Sequence, residues 1–363
     1  MKILYDYQMF DAQVYGGISR YFANLITGIG KYNQMETQAS ILYTRNHYLK
    51  ENVKPTFGNV LAKMMLSNSK RLRAWNKNYS KICISRGQFD VFHPTYFHPY
   101  FLKFLRRPFV LTVHDMIYEL FPEYFASNDL TAKYKRELVT AANHIIAISE
   151  TTKRDLMRLM NVPEEKITVV HHGYTQTSNT TNPSLILPEK YLLFVGSREN
   201  YKNFHRFSIA FSIVKQIFPE IKIVCVGGGA FTDNEQRDFA KMSITSSLIQ
   251  LDVNDKDLHW VYKKALAFIY PSLYEGFGLP ILEAFEANCP VIASDTPCFR
   301  EIAGNACMYF DPYNTQAIAE TIIASISDVR ESKLLVANGE KRLGNFKMEK
   351  CLNETLDVYR KLC

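Results

Sequence analysis

Short apolar runs alternate with segments of helical pattern along the whole chain, and this alternation narrows the possible folds more than any other feature. Runs such as FVLTV, YLLFV and IKIVCV have the length of buried strands. The segments between such runs repeat apolar residues at helical spacing. Strands that alternate with helices are typical of parallel sheets with helices on both faces. We therefore predict an α/β protein.

The predicted strands cover residues 2–7, 38–43, 91–93, 109–114, 144–149, 167–171, 191–195, 222–226, 248–251, 267–270, 291–293 and 307–310. The predicted helices cover residues 18–30, 62–82, 129–143, 150–160, 203–217, 234–243, 255–265, 280–287, 314–326, 330–342 and 347–361.

A chain of 363 residues is long enough for two domains. The polar stretch TQTSNTTNPSLILP, residues 175–188, is rich in Thr, Asn and Ser, contains two prolines and is predicted to be the linker. We predict an N-terminal domain over residues 1–178 and a C-terminal domain over residues 188–345. If both domains are doubly wound, ligands are expected at the carboxyl ends of the strands, in the crevice between the domains.

The composition argues against several classes of protein. Hydrophobic residues make up 47% of the chain and charged residues 22%, as in ordinary soluble globular proteins. The first residues hold only a short apolar run before Asp6, so we expect no secretory signal, and no apolar run reaches the length of a membrane span. Seven scattered cysteines without a CxxC motif suggest neither a disulfide framework nor a zinc site. These features predict a cytoplasmic protein.

The formal net charge is +7, and the excess positive charge lies in the first half of the chain. It is concentrated in residues 62–87, AKMMLSNSKRLRAWNKNYSKICISRG, which contain no acidic residue and interleave basic with apolar side chains. Such a stretch can lie on an anionic membrane surface, which would make the protein peripheral on the inner face of the membrane. It can equally be a solvated basic helix. Nucleic acid is a weaker alternative, because no nucleic-acid motif accompanies the stretch, and we predict no nucleic-acid partner.

The stretch YEGFGLPILEA places two glutamates, Glu275 and Glu283, around a glycine-rich turn. On one continuous helix they would not share a face, because eight residues turn through roughly 80° beyond two full turns. Pro280 suits the first helical position, which leaves Glu275 in a loop and Glu283 in the first helical turn. The backbone amides between them could face an anion, and the carboxylates could bind sugar hydroxyls. The amides that could face an anion are those of Gly276, Phe277, Gly278 and Leu279. The alternative interpretation of the whole stretch is an acidic loop followed by a capped helix.

Several other candidate site residues follow predicted strands, as Glu275 does. Because the carboxyl ends of parallel strands share one edge of a sheet, all of them can face one cleft. Each of these features alone is weak evidence for a site, since a glycine pair after a strand is often only a turn. The other members of this group are Gly16-Gly17, His114-Asp115, the segment from Gly196 to Lys202, and Gly227-Gly228-Gly229.

At this point the motifs resemble those of a known family, the retaining glycosyltransferases of family 4, which have the GT-B fold of two Rossmann-like doubly wound domains facing a cleft. The spacing of Glu275 and Glu283 matches the E-x7-E motif of this family, and the similarity spans almost the whole chain. Mannosyltransferases and related enzymes of bacterial O-antigen and capsule synthesis are especially similar. The motifs that carry the resemblance are YGGISRYFANL, FVLTVHDMIYELFP, HIIAISETTKRDL, VVHHGY, FVGSRENYKN, VGGG and LHWVYKKALAFIYPSLYEGFGLPILEAFEANCPVIASD.

The resemblance implies that the C-terminal domain binds the nucleotide-sugar donor. Glu275 would contact the donor sugar and Glu283 the ribose hydroxyls, while Lys202 would neutralise the diphosphate leaving group. Arg198 would assist Lys202. Here the chain departs from the family, which often has Arg-Lys-Asn where this sequence has Tyr201-Lys202-Asn203. The amides of Gly276 to Leu279 would lie near the diphosphate, and the donor base near Val253.

The resemblance also assigns residues of the N-terminal, acceptor-binding domain. His114 would contact the donor sugar near the reacting carbon, and Gly17 would bring the backbone close to the phosphates. The paired histidines His171 and His172 are interpreted as structural. We expect the segment 346–363, a helix that contains Tyr359, to return to the N-terminal domain.

The resemblance implies that the leaving phosphate itself helps to deprotonate the acceptor and that no protein nucleophile takes part. It also implies that this fold requires no metal and that no cofactor is needed besides the donor. Asp255-Lys256-Asp257 spells the D-x-D metal motif of the other glycosyltransferase fold. Its position at a predicted helix start favours a capping role for Asp255 instead.

The predicted function is transfer of a hexose, such as mannose from GDP-mannose, to a lipid-linked or oligosaccharide acceptor of bacterial surface polysaccharide synthesis. Alternatives are a UDP-sugar-dependent transferase or an epimerase on the same fold, and a non-catalytic nucleotide-sugar-binding protein.

Overall fold

The computed structural model describes residues 1–49, 69–175, 185–198 and 200–363. The chain divides into two compact units. The first unit contains Met1–Gly173 together with Met348–Cys363, and the second contains Tyr174–Lys347. Most of the predicted linker, residues 176–184, lies outside the described residues, as do residues 62–68 of the basic stretch.

The first unit is built on parallel strands. One set has the order β2-β1-β3 and the other the order β4-β5-β6, and a parallel bridge between Phe92 and Phe109 joins β3 to β4. The strands are β1 (Lys2–Tyr5), β2 (Glu36–Ala39), β3 (Val91–His93), β4 (Val110–Val113), β5 (His144–Ala147) and β6 (Ile167–Val169). Every residue of β3 and β4 is buried, so the strands form the centre of the core.

The helices of the first unit include the last helix of the chain. Leu352 on that helix lies against Gly28, where a Cβ atom would come within 2.6 Å of a Leu352 methyl group. Among the described helices of both units, none is both long and apolar enough to cross a membrane. The described helices of this unit are α1 (Gln8–Ala12), α2 (Gly17–Ile29), α3 (Ser69–Arg86), α4 (Ile117–Leu120), α5 (Thr131–Ala141), α6 (Glu150–Met160) and α14 (Met348–Arg360).

The second unit has one six-stranded parallel sheet with the order β12-β11-β10-β7-β8-β9. The strand order reverses between β7 and β10, so the ends of these two neighbouring strands form the switch point at which doubly wound sheets bind ligands. The strands are β7 (Tyr191–Val195), β8 (Lys222–Val226), β9 (Leu248–Leu251), β10 (Ala267–Tyr270), β11 (Val291–Ser294) and β12 (Cys307–Phe310). The helices are α7 (Phe204–Ile217), α8 (Asp233–Lys241), α9 (Asp255–Lys264), α10 (Leu279–Glu286), α11 (Pro297–Ala303), α12 (Thr315–Ser327) and α13 (Val329–Leu343).

The predicted strand over residues 38–43 is wrong in its bounds, since β2 ends at Ala39. The amide of Ser40 still donates to the carbonyl of Tyr5 at 2.8 Å, whereas the amides of Leu42 and Tyr43 donate to the side chain of Asn76, at 2.9 and 3.3 Å. That contact comes from helix α3 and cannot be read from the local pattern. The short helices α1, α4 and α11 were also not predicted, because each is too short for a helical repeat to show.

Candidate active site

The switch point of the second unit brings Lys202 and Glu275 together. Lys202 follows β7 and Glu275 follows β10, and the amide of Leu273 donates to the carbonyl of Tyr201 at 2.8 Å, which ties the two loops together. The Nζ atom of Lys202 lies 2.7 Å from Oε1 of Glu275. Two residues that the motifs selected independently are therefore direct partners.

Asn203, to which the sequence motifs assign no role, holds the loop of Lys202 in place. Its backbone is left-handed, with φ of 59°, a conformation that asparagine tolerates better than most residues. Its side-chain amide donates to the carbonyls of Pro271 at 3.0 Å and Pro312 at 2.8 Å. The loop after β7 is thus fixed to the loop after β10. The triplet Tyr201-Lys202-Asn203 is the sequence feature from which this role of Asn203 could have been predicted.

The ion pair between Lys202 and Glu275 is largely removed from solvent. The exposed fractions of the two side chains are 16% and 12%. The ammonium also lies 5.3 Å from the ring centroid of Tyr201 and 5.9 Å from that of Tyr270. Burial and the charge of Glu275 raise the pKa of the Tyr270 phenol well above its ordinary value. The site therefore combines a fixed cation with a carboxylate in surroundings of low polarity, where electrostatic interactions are strong.

Glu283 lies on α10, which begins at Leu279 rather than at Pro280 as predicted, so Glu283 falls in the second helical turn and not the first. The Tyr262 hydroxyl donates to Oε2 of Glu283 at 3.3 Å. Gly278 precedes the helix with φ of +113°, a region that non-glycine residues rarely adopt. A Cβ there would lie 3.2 Å from Ile281. The glycine is thus needed for the chain to enter α10. Gly276 and Phe277 are buried in the turn before it.

Arg198 is turned into the glycine-rich loop after β8. Its guanidinium donates to the carbonyls of Gly227 at 3.0 Å and Ala230 at 3.0 Å, and its Nε lies 2.7 Å from Glu235. Gly227, Gly228 and Gly229 all have positive φ, and the carbonyls of Gly227 and Gly228 accept from the guanidinium of Arg198 at 3.0 and 3.4 Å. These contacts give Arg198 a bracing role in the loop. Its predicted role at the diphosphate stays a prediction.

In the first unit, His114 follows β4 and is only 6% exposed. The ring stacks on His172, at 5.7 Å between centroids, and meets the ring of Tyr21 edge-on at 5.3 Å. Within the described part of the chain, Nε2 of His114 has no hydrogen-bond partner. Burial lowers the pKa of His114 to about 3, so its imidazole is neutral near pH 7. A neutral ring with an unused nitrogen can hydrogen-bond to a sugar hydroxyl.

A buried chain of hydrogen bonds runs beside His114 and includes Tyr359 of the last helix. The Tyr359 hydroxyl lies 2.9 Å from that of Tyr5 and 2.6 Å from Nδ1 of His93. Nε2 of His93 lies 2.9 Å from the hydroxyl of Thr112, which is 3.3 Å from the hydroxyl of Tyr21. Burial lowers the pKa of His93 to about 3. Through this chain of hydrogen bonds, helix α14 supports Tyr21, whose ring contacts that of His114.

Gly17 is the first residue of α2 and is exposed, as a backbone that must approach a ligand should be. Oε1 of Gln13 accepts from the amide of Ser19 at 3.1 Å and so caps this helix from the preceding loop. A Cβ on Gly16 would overlap the amide group of Gln13. No sequence motif selects Gln13.

Val253 follows β9 and is half-buried. The predicted capping role of Asp255 is wrong, since α9 begins at Asp255 and the preceding Asn254 makes the capping bond to the amide of Asp257, at 3.0 Å. The amide group of Asn254 also donates to the Asp257 carboxylate at 2.7 Å. The side chain of Asp255 lies outside the described residues, and the described side chains form no cluster of three or more His, Cys, Asp or Glu suited to a metal ion.

Two family models match the chain, one in each half. Residues 15–176 match the model described as Glycosyltransferase Family 4. Residues 179–342 match the model described as Glycosyl transferases group 1 and contain Lys202, Glu275 and Glu283. The two models follow one another with almost no gap between them.

Individual proteins are similar over much of the chain. The O-antigen chain mannosyltransferase B of Escherichia coli is 27% identical over 267 residues, which are 70% of this chain and 70% of that protein. The O-antigen chain mannosyltransferase RfbU of Salmonella typhimurium is 31% identical over 218 residues, 57% of this chain and 58% of that protein. Among solved structures, Anabaena HepE in complex with UDP and glucose covers 99% of both chains with a TM-score of 0.76 and 16% identity.

Proposed function

We propose that this chain, which belongs to the glycosyltransferases with a family 4 domain followed by a group 1 domain, transfers a hexose from a nucleotide-diphosphate sugar with retention of the anomeric configuration. The acceptor is a lipid-linked or oligosaccharide intermediate of bacterial surface polysaccharide synthesis. The two mannosyltransferase relatives support mannose as the hexose and GDP-mannose as the donor.

The pairing of Lys202 with Glu275 at the switch point carries the proposal. A cation suited to a diphosphate and a carboxylate suited to sugar hydroxyls lie 2.7 Å apart, and Glu283 follows on the next helix. The presence of all three residues also argues against a protein that has lost transferase activity. A non-catalytic nucleotide-sugar-binding protein could use the same contacts, so turnover has to be measured as well as binding.

In the proposed reaction the bond between the anomeric carbon and the diphosphate oxygen breaks. The acceptor oxygen bonds to the same face of the sugar, and its proton passes to the leaving phosphate. The ammonium of Lys202 stabilises the charge that develops on the diphosphate. Glu275 accepts from the sugar hydroxyls and Glu283 from the ribose, while the neutral ring of His114 orients the sugar. No step uses a protein nucleophile, a metal ion or a cofactor.

A thermal-shift panel of GDP-, UDP- and ADP-sugars tests the proposal, because a ligand that binds only the native protein raises its apparent stability. We expect GDP-mannose to give the largest shift. A larger shift with a UDP-sugar would favour the alternative donor, which the UDP complex of the structural neighbour supports. A panel without any shift would contradict donor binding. Transfer to an acceptor with the selected donor then separates a transferase from an epimerase or a binding protein.

We also propose that helix α3 lies on an anionic membrane surface. Trp75 and Ile82 are about half exposed on this helix, and Phe104 beside it is 37% exposed. The ammonium of Lys81 lies 5.4 Å from the ring centroid of Phe104, and Arg86, one helical turn after Ile82 on the same face, is exposed. Apolar side chains of this size beside lysine and arginine suit the boundary between acyl chains and headgroups.

Flotation with liposomes tests the membrane contact. We expect binding to vesicles with anionic lipid and not to neutral vesicles, with loss of binding in the double variant Trp75→Ala/Arg86→Glu. The exposed Arg330 of the second unit offers a control, because Arg330→Glu makes the same charge change elsewhere. Equal binding to both vesicle types, or none to either, would remove the proposal.

A further inference from the structure

We propose that Lys135 is a positioning residue for His114, and that its buried ammonium fixes the turn from β4 into α4 on which His114 and Asp115 lie. This inference rests on the proposed function, in which His114 contacts the donor sugar. It assigns a role to a side chain on α5 that no sequence motif selects.

The contacts of Lys135 converge on that turn. Its Nζ atom donates to the backbone carbonyl of Asp115 at 3.0 Å and to Oε2 of Glu119 at 2.8 Å. The same Nζ lies 3.8 Å from Oδ1 of Asp115. The Asp115 carboxylate in turn accepts from the amide of Ile117 at 3.1 Å. The residue after His114 is therefore held through its carbonyl and its side chain.

The setting of Lys135 is unusual for a lysine. Its side chain is 0% exposed, and the ring centroids of Phe97 and Tyr118 lie 5.2 and 5.7 Å from Nζ. A fully buried ammonium is costly to desolvate, and an apolar side chain of similar size often stabilises such a position better. A lysine at this position therefore indicates that its ammonium has a role that an apolar side chain could not fill. That role is the hydrogen bond to the Asp115 carbonyl, because an apolar side chain would leave this carbonyl without this partner.

The charge of Lys135 also acts on His114. Burial is the main cause of the low pKa of His114, and the charges of His93 and Lys135 lower the pKa further. Among the described residues, the titratable rings of His172 and Tyr21 lie against the ring of His114. Lys135 thus acts on both the position of His114 and its neutral state.

Lys135→Met tests the inference, because methionine keeps the length of the side chain and removes the ammonium. We expect kcat for transfer to fall by at least about tenfold while KM for the donor stays within about twofold, as for an interaction that matters in the transition state. Lys133→Met is the matched control, since Lys133 is exposed on the same helix. It should retain the wild-type kcat. Wild-type kcat in Lys135→Met would overturn the inference.

A second readout does not depend on turnover. The ring resonances of His114, assigned in NMR spectra with a His114→Gln variant, should shift in Lys135→Met, and the ring should titrate at higher pH than in the wild type. Unchanged His114 resonances would overturn the inference even if kcat fell. If no donor gives a thermal shift or turnover with the wild type, the proposed function fails, and the NMR arm still decides whether Lys135 positions His114.

Lys135→Ala covers the case in which the methionine variant does not fold. This substitution leaves space for a small alkylammonium ion such as propylammonium. Recovery of folding and kcat with propylammonium, but not with the same concentration of tetramethylammonium, would support the role of the ammonium. Equal effects of the two ions would overturn it.

Discussion

Nζ of Lys202 lies 2.7 Å from Oε1 of Glu275, although 73 positions separate the two residues in the sequence. Because both side chains are largely buried, each one is the counter-charge that makes the other tolerable. We therefore expect removal of either residue to change stability as well as the proposed donor binding, and the two effects have to be separated by experiment.

We expect Lys202→Met to lower kcat by about 10²–10³-fold, the usual cost of removing one group that stabilises a developing charge. It should also destabilise the second unit by about 3 kcal/mol, because Glu275 is left without its cation. The double variant Lys202→Met/Glu275→Gln should recover the stability but not the turnover. Lys190→Met, which breaks an exposed ion pair with Glu220, is the control for both measurements. Recovery of turnover in the double variant would contradict the role of Lys202.

Substitutions of the two glutamates should have different effects on two ligands. Glu283→Gln should weaken binding of the nucleoside diphosphate and of the nucleotide sugar alike, by about tenfold to hundredfold for a charged hydrogen bond. Glu275→Gln should weaken the nucleotide sugar more than the nucleoside diphosphate. Isothermal titration with both ligands measures this difference, and Glu320→Gln on the exposed face of α12 is the control. An equal loss for both ligands in Glu275→Gln would place this residue away from the sugar.

Gly278→Ala should cost about 1–3 kcal/mol of stability, because alanine is strained at a φ of +113° and its Cβ would press on Ile281. Gly344→Ala offers a matched control, since Gly344 has a helical backbone with φ of −57° and open space around its Cβ position. That substitution should be neutral or slightly stabilising. Urea denaturation of both variants measures the difference. Equal stability of the two variants would show that the entry into α10 adapts.

The sequence predicted the fold well where local pattern decides the structure. Strands such as Val91–His93 and Tyr191–Val195 have the predicted bounds, because buried parallel strands are continuous apolar runs with clear ends. The predicted glycosyltransferase family and the GT-B fold are confirmed by the two family models and by the structural neighbour.

The sequence was less informative where a distant side chain decides the structure. Asn76 accepts from the amide of Leu42, after the end of β2, from 34 positions away, and Lys135 reaches the carbonyl of Asp115 from 20 positions away. Asn254 rather than Asp255 caps α9, a difference of one residue that propensity cannot resolve because both types cap well. Such contacts depend on how elements pack, which one sequence does not state.

The neutral state of His114 predicts how activity depends on pH. Because its pKa lies at about 3, the ring does not titrate between pH 5 and 9. His114→Ala should lower kcat, and the ratio of wild-type to variant kcat should stay constant over this range. His205→Ala, a change at an exposed histidine, is the control. A ratio that falls as the pH drops through 6.5 would contradict a neutral ring, and unchanged turnover in His114→Ala would remove its catalytic role.

The buried histidines of the first unit should make it sensitive to acid. The pKa of His93 is lowered to about 3 and that of His172 is also lowered, both mainly by burial, whereas an unfolded histidine has a pKa of about 6.5. Between these values the unfolded state binds more protons than the folded state, so the free energy of unfolding falls as the pH drops below about 6.5. Each such histidine contributes up to about 1.4 kcal/mol per pH unit.

His93→Gln isolates one of these contributions. At pH 8 the variant should be less stable than the wild type, because the bonds of His93 to Tyr359 and Thr112 are disturbed. Between pH 6.5 and 4.5 it should lose less stability than the wild type, since one proton fewer is taken up on unfolding. Urea denaturation across this range measures both effects, with the exposed His205→Gln as the control. Parallel pH curves for His93→Gln and the wild type would mean that His93 is already protonated in the folded protein, and the hydrogen bond from Nδ1 to Tyr359 would then be donated by a charged ring.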